Sequence, residues 1–253
     1  MQHDDLIAGR KARSTDDLEQ VEAELEQGSE IAEPQKEFGI VTVCAGSGME
    51  QLFEELGADR IVTGGQTMNP STDDILKEIN RTPSSTVFVF PNNKNIIMAA
   101  EQCIPLTEKI VVVVPSRTVP EGVSALLSYD PDSGEQENLE AMNEAIKAVH
   151  TAMVTYAARD SDFDGHSIHS GEDLSLLDGA LVGNYPTVKT LFKELIWALN
   201  DLNQEYITIY YGEDVQQVEA DELSEIIQGG FPDAEVKVLS GGQPVYYYMI
   251  AVE

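Results

Sequence analysis

Three short polar loops, each following an apolar run, hold the side chains with the most capacity for chemistry. The first is Gly64-Gly65-Gln66-Thr67-Met68-Asn69-Pro70-Ser71-Thr72, after Arg60-Ile61-Val62-Thr63. It crowds hydroxyl and amide groups beside paired glycines, which allow a ligand or a second backbone to approach closely. A helix pattern with Asp73 and Asp74 in its first turn follows, so free N–H groups at its start suit an anionic head group. Capping of that helix by Ser71 or Thr72 is the alternative use of these hydroxyls. The second loop is Pro91-Asn92-Asn93-Lys94-Asn95, after Thr86-Val87-Phe88-Val89-Phe90, and the third is Pro115-Ser116-Arg117-Thr118. If the preceding strands are parallel neighbours, all three loops share the carboxyl edge of one sheet, where open α/β sheets bind ligands. The first two should then face each other, with Lys94 and Arg117 supplying positive charge. The candidate ligand- or partner-binding residues are therefore Gly64, Gly65, Gln66, Thr67, Asn69, Ser71, Asn92, Asn93, Lys94, Asn95 and Arg117. No residue is assigned as catalytic or as a metal ligand.

The elements that must position these loops can be read from periodicity. Phe38 to Cys44, Arg60 to Thr63, Thr86 to Phe90 and Lys109 to Val114 are short, β-branched and almost wholly apolar. Such runs suit strands buried on both faces of a parallel sheet. Helical patterns separate them at Met49 to Leu56, Thr72 to Asn80, Ile96 to Cys103 and Gly122 to Leu127, which predicts right-handed βαβ units over residues 38–135. After a long helix from Glu137 to about Val149 the pattern changes. A strand at Thr151 to Ala157, turn signals at Asp164-Gly165, Ser170-Gly171 and Asp178-Gly179, and strands at Tyr206 to Tyr211, Ala234 to Leu239 and Val245 to Val252 predict a mixed lobe over 136–253. Helices are expected there from Pro186 to about Leu202 and from Ala220 to Gln228. The fold class is thus α/β in two lobes, an N-terminal parallel-sheet lobe and a mixed C-terminal lobe. Residues 1–37 are polar and acidic and read as a linker or a helix without a packing partner.

Composition removes several classes of function. Fifteen Lys and Arg against 45 Asp and Glu give a net charge of −30, which repels nucleic acid and anionic membrane surfaces. No apolar stretch is long enough to span a bilayer and the N-terminus has no signal-peptide pattern, so the expected location is the cytoplasm, with no transmembrane segment. Cys44 and Cys103 lie in apolar surroundings outside any CxxC pair and read as reduced, buried thiols. Two acidic runs stand out. Residues 14–37 carry nine acids and one lysine, and residues 213–225 carry six acids and no base; each is a solvated face or a docking face for a basic partner. Gly46-Ser47-Gly48-Met49-Glu50-Gln51 resembles a dinucleotide fingerprint only in part, because Gln51 replaces its last glycine, and reads as a tight strand-to-helix turn. His166 and His169, between two glycine turns, read as exposed hairpin residues and not as zinc ligands.

The run Gly64 to Leu76 and the run Pro91 to Ile97 resemble the GGQTMNPST and PNNKNI signatures found in the C-terminal region of the DhaL-containing (DAK2/YloV-type) component of bacterial fatty acid kinases. Further matching runs are Val119-Pro120-Glu121-Gly122, Asn138 with Met142, Arg159-Asp160, Tyr211-Gly212-Glu213-Asp214 and Gly241-Gly242-Gln243-Pro244-Val245-Tyr246. Agreement covers about 38–253. The resemblance implies a fold like DegV proteins and the substrate-binding part of dihydroxyacetone kinase. It implies that ATP and magnesium belong to a DhaL kinase domain outside this chain, so the chain itself carries no cofactor. It also implies a DegV-like fatty acid-binding protein as partner, whose bound carboxylate is phosphorylated to an acyl phosphate. Residues 1–13 then look like the end of the connection from a middle domain. Glu121 stands where the family more often has Gln, and Asp162-Phe163-Asp164-Gly165 replaces a commoner Thr-hydrophobic-Asp-Gly pattern.

Two functions follow as expectations. One is a module that binds or positions the DegV-like protein, not catalytic alone and part of a phosphotransferase when joined to its DhaL domain. The other is a domain that binds a fatty acid or another carboxylate in a retained DegV-like site. A homodimer is left open.

Overall fold

A computed structural model describes residues 31–253, apart from 66–67, 164–165, 186–187 and 203. Most of the acidic segment, and Gln66 and Thr67 of the first loop, therefore lie outside the described residues. The chain runs β1 (Lys36–Cys44), α1 (Ser47–Glu55), β2 (Arg60–Thr63), α2 (Thr72–Arg81), β3 (Ser84–Phe90), α3 (Ile97–Gln102), β4 (Ile110–Val113), α4 (Val119–Leu127) and α5 (Glu135–Ala148). These strands form one parallel sheet in the order β2-β1-β3-β4. The apolar runs behave as strands covered on both faces. In β1, Phe38, Ile40 and Cys44 enter one core with Phe88 and Phe90, while Val41 and Val43 enter another with Val87, Val89, Ile75 and Ile79. Alternation along a pleated strand sends successive side chains to opposite layers, so both layers must be apolar.

The second half continues with β5 (His150–Tyr156), a hairpin of β6 (Ser161–Phe163) and β7 (His166–Ile168), then β8 (Asp173–Leu177), β9 (Ala180–Tyr185), α6 (Val188–Leu199), β10 (Tyr206–Tyr211), α7 (Gln217–Gly230), β11 (Glu235–Ser240) and β12 (Tyr248–Val252). Six of these strands make a sheet ordered β11-β10-β12-β5-β8-β9, antiparallel except for the β10–β11 pair. The Asp178-Gly179 turn joining β8 to β9 has both residues at positive φ, 51° and 84°, the backbone that a tight hairpin needs and that Asp-Gly readily adopts. Helices α6 and α7 cover this sheet through Leu191, Leu195, Leu199, Leu223 and Ile227.

The two sheets share a core. Tyr210, Met249 and Ala251 of the second pack with Phe88, Val119, Leu126 and Met142 of the first half. Gly46, Gly48 and Gly241 allow a second close approach between them. A Cβ on Gly48 would lie 1.8 Å from the carbonyl oxygen of Ser240, and one on Gly46 would lie 2.5 Å from that of Gly241. The Met49 N–H donates to Gly241 O at 3.0 Å across the same junction. The glycines of the partial fingerprint therefore bring α1 against the β11–β12 connection.

Element boundaries differ from expectation where proline and capping intervene. Helix α4 starts at Val119, three residues before Gly122, because Pro120 fits the first turn of a helix, where its missing N–H is not needed, and Thr118 accepts the Glu121 N–H as cap. Strand β12 starts at Tyr248 and not at Val245, which has a left-handed φ of 73° next to Pro244. Lys36 and Glu37, placed with the acidic segment by composition, already belong to β1, and Lys36 pairs with Asp59 at 2.6 Å. Cys44 and Cys103 are buried free thiols whose pKa values burial pushes up to about 12 and about 11, so both stay protonated and poorly nucleophilic.

Candidate functional site

The carboxyl edge of the first sheet collects the predicted loops. Because β1 lies between β2 and β3, the loops leaving those two strands meet across its end, and the Asn93 side-chain amide donates to the carbonyl oxygen of Gly65. The Asn93 Oδ1 accepts the Asn95 N–H at 2.9 Å, which fixes the loop from within.

Asn92 is the anchor of this edge. It is buried, 4% exposed, and has a left-handed φ of 53°, a conformation Asn tolerates better than most residues. Its Nδ2 donates to Thr42 Oγ1 at 2.8 Å and to Val43 O at 2.9 Å, and its Oδ1 accepts from Ser116 Oγ at 2.7 Å. One side chain thus ties the ends of β1, β3 and β4 together. Gly122 leaves room for it, since a Cβ there would lie 1.9 Å from Asn92 Oδ1. Ser71 caps α2: its hydroxyl accepts the Asp74 N–H at 3.1 Å, while Asp74 accepts the Ser71 N–H at 2.9 Å. The Ser71 hydroxyl, which also donates to Asp74 Oδ2 at 2.6 Å, and then the Ser71 N–H hold the Asp74 carboxyl below the usual carboxylate range. Asn69 is exposed in the same loop, and Gly64 and Gly65 both have positive φ, 147° and 98°.

In front of this edge lies a cleft of about 540 Å³ between the two sheets, within the usual size range of small-molecule sites. Asn92, Asn93, Lys94, Asn95 and Arg117 line it, and Lys94, Asn95 and Arg117 are exposed at its rim. Gly64, Gly65, Asn69 and Ser71 are not part of that lining, and Gly65 is joined to it through Asn93.

The second half contributes groups that the sequence does not place here. Lys147 and His150 line the cleft, where α5 passes into β5, and so do Asp178 and Gly179 of the β8–β9 turn. His150 Nδ1 pairs with Asp178 Oδ2 at 2.7 Å, and Asp178 Oδ1 accepts the Thr151 N–H at 2.9 Å. Sequence distance sets the four histidines apart from the signature loops; the fold brings His150 to them. Val119, Val149, Met153, Tyr246 and Met249 supply apolar surface to the same cleft. Only topology joins these residues, and their separation along the chain carries no local signal.

Charge at the cleft is unusual for this chain. Three of its 15 Lys and Arg, namely Lys94, Arg117 and Lys147, gather here against a net charge of −30. Two acids line the cleft with them, Asp178 and Glu121. The Glu121 carboxylate accepts the Arg117 N–H at 2.5 Å, and burial, with a smaller push from Asp178, raises it above the usual carboxylate range despite Arg117. A cationic rim over apolar walls can hold a carboxylate or phosphate whose remaining part is apolar. His166 and His169 are exposed on the β6–β7 side, and no group of three or more His, Cys, Asp or Glu among the described residues could hold a metal ion. No helix among the described residues is long and apolar enough to cross a membrane.

Comparison with known proteins places this architecture. The pattern of the FakA-like family, which describes the C-terminal part of such fatty acid kinase components, matches residues 39–253. Protein YloV of Bacillus subtilis is 39% identical over 216 residues, covering 85% of this chain and 39% of that protein; the chain thus spans about two fifths of this curated relative. Among solved structures, a Thermotoga maritima protein described as revealing a fatty acid binding function superposes with TM-score 0.63 at 13% identity, over 87% of this chain and 99% of that one. The Streptococcus pneumoniae Fatty Acid Kinase (Fak) B3 protein, loaded with linoleic acid, gives TM-score 0.56 at 12% identity, over 86% and 99%. At such identities the structural likeness establishes a shared DegV-like fold.

Proposed function

The chain belongs to the FakA-like family of fatty acid kinase C-terminal domains, and from that premise we propose that it is a non-catalytic module that binds and positions a DegV-like fatty acid-binding protein for phosphorylation of its acyl carboxylate. ATP and magnesium would act on a DhaL-type kinase domain outside this chain. The observation that carries the reading is the internal use of the signature amides. Asn92 and Asn93 bond to Thr42, Val43, Ser116, Gly65 and Asn95, so they build a rigid edge. Lys94, Asn95 and Arg117 are among the side chains that this edge presents outward. Rigid, outward-facing cations on an acidic body suit recognition of a partner's anionic region, because they act at short range where the chain's overall charge is screened.

A second reading has its own support in the cleft. Apolar side chains such as Met153 and Met249 beside Lys94 and Arg117 suit a fatty carboxylate held in this chain itself. One experiment separates the two. The chain and its Lys94→Glu/Arg117→Glu variant are titrated by calorimetry with the cognate acyl-loaded DegV-like protein over a salt series, and both are examined by native mass spectrometry for retained lipid. The positioning reading expects salt-sensitive association, lost in the variant, and no lipid in the chain. No association at low salt sinks it, and a retained acyl chain in the unmodified protein favours the carboxylate reading.

A further inference from the structure

The inter-sheet cleft offers a head group more than one pair of cations. Lys94 and Arg117 reach it from the loops after β3 and β4, and both are exposed at its rim. Lys147 and His150 reach it from the end of α5 and the start of β5, with Asp178 of the β8–β9 turn beside them. Basic side chains from three separate segments thus line one space with Val119, Val149, Met153, Tyr246 and Met249.

His150 is the fixed member of this set. Its Nδ1 meets Asp178 Oδ2 at 2.7 Å, and Asp178 Oδ1 is itself held by the Thr151 N–H at 2.9 Å. An ionised carboxylate only accepts, so the proton of this bond sits on Nδ1, which leaves Nε2 for a ligand. Lys147 pairs with Glu144 at 2.7 Å, but these side chains are 68% and 74% exposed, and an exposed pair of this kind is worth little and gives way to a stronger partner. The two acids of the cleft do not cancel the cations. Asp178 is committed to His150 and the Thr151 N–H, and burial disfavours the charged form of Glu121.

A fatty carboxylate uses only part of this arrangement. Its two oxygens lie in one plane and carry one charge, which Lys94 and Arg117 already match. A phosphate monoester has three terminal oxygens set as a tripod and about two charges at neutral pH, so it can meet donors arriving from three segments at once. Lys147 and His150 gain a task with the second head group.

We propose that the cleft is a site for an acyl or alkyl phosphate, with the phosphate among Lys94, Arg117, Lys147 and His150 Nε2 and the chain along Met153 and Met249. The inference rests on the reading that this chain itself holds an anionic amphiphile in the cleft, and it changes the head group from carboxylate to phosphate. Phosphorylation of an acyl carboxylate forms that head group, so the domain retains the product of such a reaction and not its substrate.

The probes are octyl phosphate, octanoate and inorganic phosphate, titrated by calorimetry below micelle-forming concentrations at about pH 7.5, where the monoester is close to dianionic. The chain is compared with Lys147→Gln/His150→Gln, which removes the third group of donors, and with Lys193→Gln/Lys237→Gln, which removes two exposed lysines outside the cleft. The proposal expects octyl phosphate to bind about tenfold more tightly than octanoate or inorganic phosphate, and to lose about tenfold in the first variant and less than about twofold in the second. Octanoate should change by less than about twofold in the first variant, which also shows that its cleft is still folded. Octanoate binding as tight as that of octyl phosphate overturns the phosphate inference and leaves the carboxylate reading standing, whereas no binding of either amphiphile removes both. Inorganic phosphate as tight as octyl phosphate overturns the inference in favour of a free-phosphate site. Equal loss in the two variants shows bulk charge only and overturns it as well.

Discussion

Replacing Asn92 by alanine should destabilise the protein, and the structure gives the size of the effect. The substitution removes the side-chain partner of two buried hydroxyls, Thr42 and Ser116, both 0% exposed; the Ser116 oxygen keeps only the backbone N–H of residue 92 at 3.1 Å. Leaving a buried polar group unpaired costs about 1–3 kcal/mol each. Holding alanine at a φ of 53° adds about 1 kcal/mol relative to residues that accept left-handed backbone. The sum is about 4 kcal/mol, a large part of the roughly 5–15 kcal/mol by which domains are stable. In a chain this long it should lower Tm by about 8–16 °C. Asn92→Gly, which accepts the backbone without strain, separates the conformational part from the hydrogen bonds. The sharper measurement is a double-mutant cycle by chemical denaturation. Gly122→Ala alone forces a Cβ to within 1.9 Å of the Asn92 amide oxygen and should be destabilising. Once Asn92 is alanine that clash is gone. The two changes together should then cost less than their sum by about 1 kcal/mol or more, as contacting residues couple by about 0.5–3 kcal/mol. Additive values, or an Asn92→Ala protein that melts within a degree of the original, would refute the account of this amide as the tie between three strand ends.

Two further outcomes are expected. Gly48→Ala drives a Cβ to 1.8 Å from the Ser240 carbonyl, backbone against backbone, and should cost more than about 2 kcal/mol by urea unfolding, whereas Gly57→Ala, which meets nothing within 4 Å but has a φ of 100°, should cost only its conformational strain. Glu121 is raised by burial in the folded state, so it binds its proton more tightly there than in the unfolded chain. Its unfavourable contribution is absent below the unfolded-state pKa, grows as pH rises from there to the raised folded value, and is complete above it. Glu121→Gln keeps an acceptor for the Arg117 N–H and should raise Tm at pH 7 by about 1–3 °C with no gain at pH 4; a gain of equal size at both pH values would rule out the buried charge as its cause.

The sequence is most legible where one element suffices to explain it. The four apolar runs of the first half read as strands covered on both faces because alternation fills two separate cores, and Tyr206–Tyr211 reads as a strand over its full length. Boundaries blur where a residue type has two uses. Pro120 looks like a break and serves as first-turn helix residue, and Val245 continues an apolar pattern but has left-handed backbone. The site is less legible, because half of it comes from a second sheet. Lys147, His150 and Asp178 reach the cleft through the α5–β5 passage and a hairpin turn, and nothing local marks them.

The same ambiguity governs the two most conspicuous polar motifs, and geometry resolves it in opposite directions. Asn92 and Asn93 carry the chemistry of a ligand site, but their groups close on Thr42, Ser116 and Gly65 inside the protein. The acidic run at 213–225 carries only the composition of a solvated face, yet the fold places Asp214, Glu219 and Glu222 along one groove with Phe192, Tyr247 and Tyr248. A polar side chain that is buried and satisfied defines shape, whereas charges gathered at a groove rim set the electrostatics of the surface around it. Residue type announces the capacity for chemistry in both cases; only burial and the partners at hydrogen-bond distance decide whether that capacity is already used.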